Sequence, residues 1–236
     1  MLRKELEQYL EFLNLSGIQD IYFASQDAAE QSPHAAVTAA SAAPPASSTD
    51  KAQKLDELRQ AYSRCQKCEL WKGRKHFVYG DGNPDADLML IGEGPGADEN
   101  ATGHVFVGRA GQLLTKMLAA INLRRDEVYI ANIVKCRPPN NRDPLPEERA
   151  ACMPYLLEQI NIIQPRILLL MGKVAANTLL QNTLSLTNMR EHTHLFQGIK
   201  TYVSYHPSAL LRNEKWKRPA WIDLQKVQRD YLALTH

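Results

Sequence analysis

Asp87-Leu88-Met89-Leu90-Ile91-Gly92-Glu93-Gly94-Pro95-Gly96-Ala97 is the stretch that decides the fold. Four apolar residues run without polar alternation and then stop at a glycine. That pattern marks a short strand buried on both faces, as parallel sheets require, with a loop leaving its carboxyl end. Downstream, Leu113, Leu114, Met117, Leu118 and Ile121 share one stripe and predict a helix over 108–121. The same reading predicts strands over 128–134, 166–171 and 200–205. It predicts helices over 146–163, 172–180 and about 216–234. Upstream, a helix capped by Thr49 or Asp50 runs toward Cys65. Strands that alternate with helices imply an α/β fold, a three-layer α/β/α sandwich around a central four-stranded, mainly parallel sheet. Ligands of such sheets bind beyond the carboxyl ends of the strands.

The chain has 236 residues and a formal net charge of only +2, so any contact with nucleic acid must come from a local basic face. No apolar run reaches the ~20 residues that span a bilayer. Charges at Arg3, Lys4, Glu5 and Glu7 stand where a signal peptide needs an apolar core. A soluble cytoplasmic monomer is the expectation. Leu2, Leu6, Tyr9, Leu10 and Leu13 predict an N-terminal helix within residues 1–22, either packed on the body or docking a protein partner. Residues 23–50 have the Ala/Ser/Pro composition of a flexible linker, and the folded domain is expected over 51–236.

All four cysteines belong to one pattern, Cys65-Gln66-Lys67-Cys68 followed by Cys136 and Cys152. A thioredoxin-like redox pair would leave Cys136 and Cys152 without a role. Zinc accepts four thiolates, although such sites usually draw on two short knuckles. A [4Fe–4S] cluster takes the same ligands, and buried structural thiols are the plain alternative. Spacing alone leaves zinc and iron–sulfur open.

The loops after the strands carry the remaining chemistry. Gly92-Glu93-Gly94-Pro95-Gly96-Ala97 formally satisfies a dinucleotide fingerprint. Pro95, a polar stretch before the next predicted helix and the lack of an acidic residue ending the second strand argue against that use. Phe106 lies between Gly103 and Gly108 at the predicted mouth of the sheet, where an aromatic ring is a stacking platform for a base. Asn132 stands near the end of the second strand, and its amide both donates and accepts, which suits a pyrimidine edge. His206-Pro207-Ser208 leaves the fourth strand with Arg212 close behind.

Five ordered segments together resemble the family 4 uracil-DNA glycosylases, the iron–sulfur branch of their superfamily. They are Cys65-x-x-Cys68, Gly92-Glu93-Gly94-Pro95-Gly96, Phe106-Val107-Gly108-Arg109-Ala110-Gly111, Asn132-x-x-Lys135-Cys136-Arg137-Pro138-Pro139, and His206-Pro207-Ser208. The resemblance covers about residues 65–212. It implies a glycosylase fold, a [4Fe–4S] cluster on Cys65, Cys68, Cys136 and Cys152, and uracil-containing DNA as the partner.

The resemblance also implies roles. The enzyme flips uracil out of DNA and hydrolyses its N-glycosidic bond. Phe106 stacks on the flipped base, Asn132 bonds its polar edge, and His206 faces O2, where negative charge grows. Ser208 and the backbone at Gly94 and Gly96 hold phosphates, with Arg212 beside them. Leu210 or Leu211 is the candidate wedge into the vacated stack. Glu99 matches a glutamate that excludes the thymine methyl. Better-known relatives carry Gln-Asp where this chain has Glu93-Gly94, so Glu93 or Asn141 is expected to position water. Asn100 and Val105 depart from the family pattern. The rival reading is a catalytically weak glycosylase-like DNA-binding module attached to a replication or repair partner. A covalent product-trapping relative is disfavoured, because no Arg-rich, His-containing insertion lies between Cys136 and Cys152.

Overall fold

The computed structural model describes residues 48–235. The predicted N-terminal helix at 1–22, and the linker as far as residue 47, lie outside the described residues. The folded part begins slightly earlier than the sequence suggests. Ser48–Tyr62 forms helix α1, so Thr49 and Asp50 sit inside its first turn and not at its cap, and residues 48–50 leave the predicted linker.

The sheet is built on β2 (Leu88–Gly92), β3 (Tyr129–Asn132), β4 (Ile167–Met171) and β6 (Ile199–Ser204). These four strands are mutually parallel in the order β3-β2-β4-β6, with Gly92 opposite Asn132 and Met171 opposite Ser204. Two short antiparallel strands extend the edges, β1 (Asp81–Gly82) beside β3 and β5 (His194–Phe196) beside β6. The expected parallel core is therefore present inside a six-stranded mixed sheet. Strands of two and three residues are too short to show a periodicity.

Side chains alternate faces along each strand, and the two faces build two separate cores. Met89, Ile91, Leu168, Leu170 and Val203 pack with Leu55 of α1 and with Leu156, Ile160 and Ile163 of α4 (Pro146–Ile163). Leu88, Leu90, Ile130, Leu169 and Tyr202 face the other way. They meet Leu114 and Leu118 of α3 (Arg109–Ala120) and Leu224 and Val227 of α8 (Lys217–Thr235). Helices α5 (Lys173–Leu180) and α6 (Leu186–Glu191) join the first layer through Ala175, Ala176, Leu179 and Met189. The result is the expected three-layer sandwich. Among the described residues, no helix is long and apolar enough to cross a membrane.

Three six-residue helices, α6 and two more, escaped the sequence reading because they are too short to carry an apolar stripe. Helix α2 (Ala97–Thr102) opens directly after Gly96, so the polar stretch does not delay a helix as expected. Helix α7 (Pro207–Arg212) starts at Pro207, whose missing N–H is no loss at the first helical position.

Candidate active site

The ends of β2, β3, β4 and β6 open onto one cavity of about 620 Å³. Glu93, Gly94, Gly96, Glu99, Phe106, Asn132, Asn141, His206, Ser208 and Arg212 all line it, so residues spread over 120 sequence positions meet in one place. Arg142, Asp143, Lys173, Tyr205 and Trp216 line it too, and the sequence reading did not single them out. Asp143 lies in an Asn-Arg-Asp-Pro stretch that reads only as a turn, and Tyr205 and Trp216 read as ordinary apolar residues.

Gly92 leaves room for the Asn132 and Phe106 side chains. A Cβ at Gly92 would lie 2.4 Å from Asn132 Oδ1 and 2.7 Å from Phe106 Cζ. Asn132 is 1 % exposed, and its Oδ1 has no hydrogen-bond partner. A buried acceptor without a partner is costly, so an N–H from a ligand is the natural occupant of that position.

Phe106 adopts a positive φ of 50°, a strained state for an aromatic residue. Two contacts impose it. Arg125 donates to the Phe106 and Val105 carbonyls, and Gly111 passes so close that a Cβ there would sit 1.7 Å from Phe106 O. Held this way, the ring lies 5.4 Å from the His206 ring at an interplanar angle of 35°.

Glu99 ties the two glycine loops together. Its Oε2 accepts from the Gly96 N–H at 3.0 Å, and its Oε1 accepts from the Val107 and Gly108 N–H groups, each at 2.9 Å. The carboxylate is 8 % exposed. Asn100 adds a third segment by accepting from the Lys75 N–H and donating to Gly73 O.

The two titrating groups have opposed perturbations. Burial, with Asp143 adding to it and Arg149 opposing it, raises the Glu93 carboxyl to about 7. Burial, reinforced by the Arg212 charge, lowers the His206 imidazole to about 4, against a small pull from Glu99. His206 is therefore neutral at neutral pH. Its Nδ1 accepts from the Ser208 backbone N–H at 3.2 Å and lies 2.8 Å from Ser208 Oγ. An Nδ1 that accepts leaves the proton on Nε2. Asn141 also sits at a positive φ, 54°, and its Oδ1 accepts from Arg137 at 2.8 Å.

Leu210 is 2 % exposed and packs with Tyr205 and Ala220, whereas Leu211 is 41 % exposed. Of the two candidate wedges, only Leu211 is accessible.

The four thiols gather on the α1/α4 side of the sheet. Cys65 and Cys68 are half-buried, Cys136 and Cys152 are buried, and all four pack against one core. They feel one another electrically: Cys65 and Cys68 act on Cys136, and Cys136 and Cys68 act on Cys152. Burial is the main cause that raises Cys68, Cys136 and Cys152, the last to about 12. Several donors point at the sulfurs. Tyr155 OH donates to Cys65 at 3.1 Å, the Lys135 N–H to Cys152 at 3.4 Å, and Arg74 Nη1 to Cys136 at 3.5 Å. Among the described residues, no three His, Cys, Asp or Glu side chains converge as the ligands of a single metal ion. Four neighbouring thiols, each a soft ligand and three with a donor at the sulfur, are a donor set that fits an iron–sulfur cluster.

Comparison with known proteins agrees with this geometry. Residues 79–225 match the uracil DNA glycosylase superfamily. A type-4 uracil-DNA glycosylase of Sulfurisphaera tokodaii is 40% identical over 190 residues, which cover 77% of this chain and 86% of the relative. A type-4 enzyme of Archaeoglobus fulgidus is 39% identical over 74% of this chain and 92% of its own length. The type-4 enzyme of Thermotoga maritima is 41% identical over 74% and 93%. Fold, cavity and relatives converge: the chain belongs to the uracil-DNA glycosylase superfamily, in its type-4 branch.

Proposed function

We propose that this protein removes uracil from DNA by hydrolysing the N-glycosidic bond, with Asn132, Phe106, His206 and Glu93 as the working residues. The observation that carries the reading is the unpartnered, buried Oδ1 of Asn132, set beside the Phe106 ring in the cavity that also holds His206. Uracil offers an N3–H donor to that oxygen, and its flat ring suits the Phe106 face. Cytosine presents an acceptor at N3 and would leave two acceptors opposed.

The chemistry follows from the two perturbed groups. The bond from C1′ to N1 breaks with its electron pair on the base, and charge accumulates on uracil O2. The Nε2–H of neutral His206 donates to that oxygen, an interaction that strengthens as the bond breaks. Ser208 fixes the tautomer by bonding Nδ1. Glu93, poised near neutral pH, orients the water whose oxygen bonds C1′ and takes its proton. We assign that task to Glu93 over Asn141, because the Asn141 carbonyl oxygen already accepts from Arg137. Glu99 holds the loops and lines the cavity, and we assign it the exclusion of a 5-methyl group. We assign the phosphates to Arg212 and the backbone at Gly94 and Gly96, all of which line the cavity, although the Gly96 N–H itself is taken by Glu99.

Cys65, Cys68, Cys136 and Cys152 would hold a [4Fe–4S] cluster, which would cross-link the segment after α1, the segment after β3 and α4. Four free thiols suit a reducing cytoplasm. Base release from oligonucleotides bearing one uracil, in single-stranded, U·G and U·A contexts, tests the reading. Uracil release and an alkali-labile abasic site are expected, and intact strands in all three contexts would overturn it.

A further inference from the structure

Beside the base slot stands an aromatic arrangement that base flipping and hydrolysis leave without a task. Trp216 belongs to the short turn Glu214–Trp216 between α7 and α8, lines the cavity, and is 38 % exposed. Its indole is stacked on the Tyr205 ring, with centroids 5.0 Å apart and planes within 9°. Tyr205 is buried, and the Arg190 guanidinium lies 4.3 Å from its ring centroid. Arg190 is itself fixed, donating to both oxygens of Asp223 at 2.6 and 3.0 Å and to Pro219 O at 2.8 Å. Ser204, the last residue of β6, bonds the same carboxylate. The stack Arg190–Tyr205–Trp216 is thus anchored to the strand that delivers His206, and it ends in an exposed indole.

An exposed tryptophan that packing alone would explain need not be held so rigidly. A flat ring fixed in place loses little entropy when a second flat ring stacks on it. The surroundings favour a nucleic-acid strand over another apolar partner. Arg212 and Lys215 are exposed on the same segment, and Lys217 is exposed and paired with Glu214. Leu211, the accessible wedge candidate, lies five residues before Trp216.

We propose that Trp216 is a stacking platform for a nucleobase adjoining the extruded uracil, and that it biases the enzyme toward unpaired strands. In a duplex a neighbouring base stays paired and stacked on its other neighbour after uracil leaves, so lying on the indole would mean breaking those contacts. In a single strand the neighbouring base is free to leave its stack and lie on Trp216. The inference deepens the glycosylase reading and rests on it.

The test uses the full chain with Trp216→Ala and Trp216→Phe. Binding is measured on oligonucleotides with an uncleavable abasic analogue, single-stranded and duplex, beside KM and kcat on the matching uracil substrates. Trp216→Ala should weaken single-strand binding about tenfold and duplex binding much less, with the loss in KM and not in kcat. Trp216→Phe should restore most of the affinity. Equal affinity of Trp216→Ala and the wild type for single strands would overturn the inference. So would a parallel loss in both contexts that Phe does not rescue, the mark of a merely structural residue. Wild-type protein that leaves uracil in place would instead overturn the glycosylase reading, and binding would still decide the role of Trp216.

Discussion

His206 Nδ1 lies 3.2 Å from the Ser208 backbone nitrogen, and this contact fixes which imidazole nitrogen carries the proton. The backbone N–H can only donate, so Nδ1 must accept and Nε2 must hold the hydrogen. Burial keeps the ring neutral by lowering it to about 4. A neutral donor adds little to ground-state binding and more as O2 becomes anionic. His206→Ala should therefore slow single-turnover base release by on the order of 10²–10³. Affinity for an uncleavable abasic analogue should stay near the wild-type value, because phosphate contacts supply most of it. A matched fall in both quantities would reduce His206 to a structural residue.

Asn132→Asp should weaken uracil removal sharply. The amide offers one donor and one acceptor to the base, whereas an ionised carboxylate only accepts. Buried at 1 % exposure, the new charge would lack solvent as well as a partner. Selectivity losses at sites built to hydrogen-bond their substrate reach ~10⁴. Competing uracil and cytosine oligonucleotides measure the change, and unaltered uracil kinetics would remove Asn132 from the pocket.

The acid limb of the rate profile should belong to Glu93. Its carboxyl is raised to about 7, so the ionised base grows in as pH rises through that value. Asp143→Asn removes a negative neighbour and should move the limb to lower pH. The stability effect has the opposite sense. A carboxyl whose native value lies above its unfolded value stabilises the fold at low pH and loses that contribution as pH rises through about 7. Glu93→Gln should accordingly melt higher than the wild type above pH 7 while losing activity. Rate profiles and thermal melts across pH 5–9 check both signs.

What the sequence disclosed, and what it hid, follows from range. The parallel core was legible because Leu88–Ile91 and Ile167–Met171 are unbroken apolar runs, a local property. The edge strands β1 and β5 and the helix α2 were not, because two- to six-residue elements are fixed by their neighbours. Of the ordered motifs, the glycine loop, the Phe106 loop, Asn132 and His206-Pro207-Ser208 meet in the cavity, whereas the cysteines gather on the α1/α4 side of the sheet. Arg125 bonds the Phe106 carbonyl 19 residues away, Asp143 acts on Glu93 and Trp216 stacks on Tyr205, and no local pattern announces these partners. The contacts of the Ser208 N–H and hydroxyl with His206 Nδ1 are likewise invisible to any sequence pattern.

The thiols should hold iron. Freshly isolated protein is expected to contain iron and inorganic sulfide near four of each per chain, the stoichiometry of a [4Fe–4S] centre. Cys136→Ala and Cys152→Ala should lower both contents and the melting temperature together, since metal binding to a folded site is folding free energy. Stoichiometric zinc without sulfide would replace the cluster by a zinc site.

Glu99 separates a clamp from a gate. Its carboxylate accepts from Gly96, Val107 and Gly108, so the loop before α2 and the loop carrying Phe106 share one acceptor. Glu99→Gln keeps the size of the side chain but turns an NH₂ group toward one of those N–H donors. One bond becomes a donor–donor clash, and the remaining bonds lose the charge that strengthens them. Bonds to a charged acceptor are worth roughly 1.5–3 kcal/mol each, so a loss of on the order of 2 kcal/mol in denaturant unfolding is expected. Release of the strained Phe106 backbone should then lower kcat on uracil. If Glu99 acts instead chiefly by filling the space beside C5, Glu99→Gln should behave as the wild type in both assays. Glu99→Ala would separate the two roles again: as a clamp it loses stability and uracil cleavage, and as a gate it gains cleavage of thymine opposite guanine. Denaturation curves, with base release from U·G and T·G oligonucleotides for both variants, distinguish these outcomes.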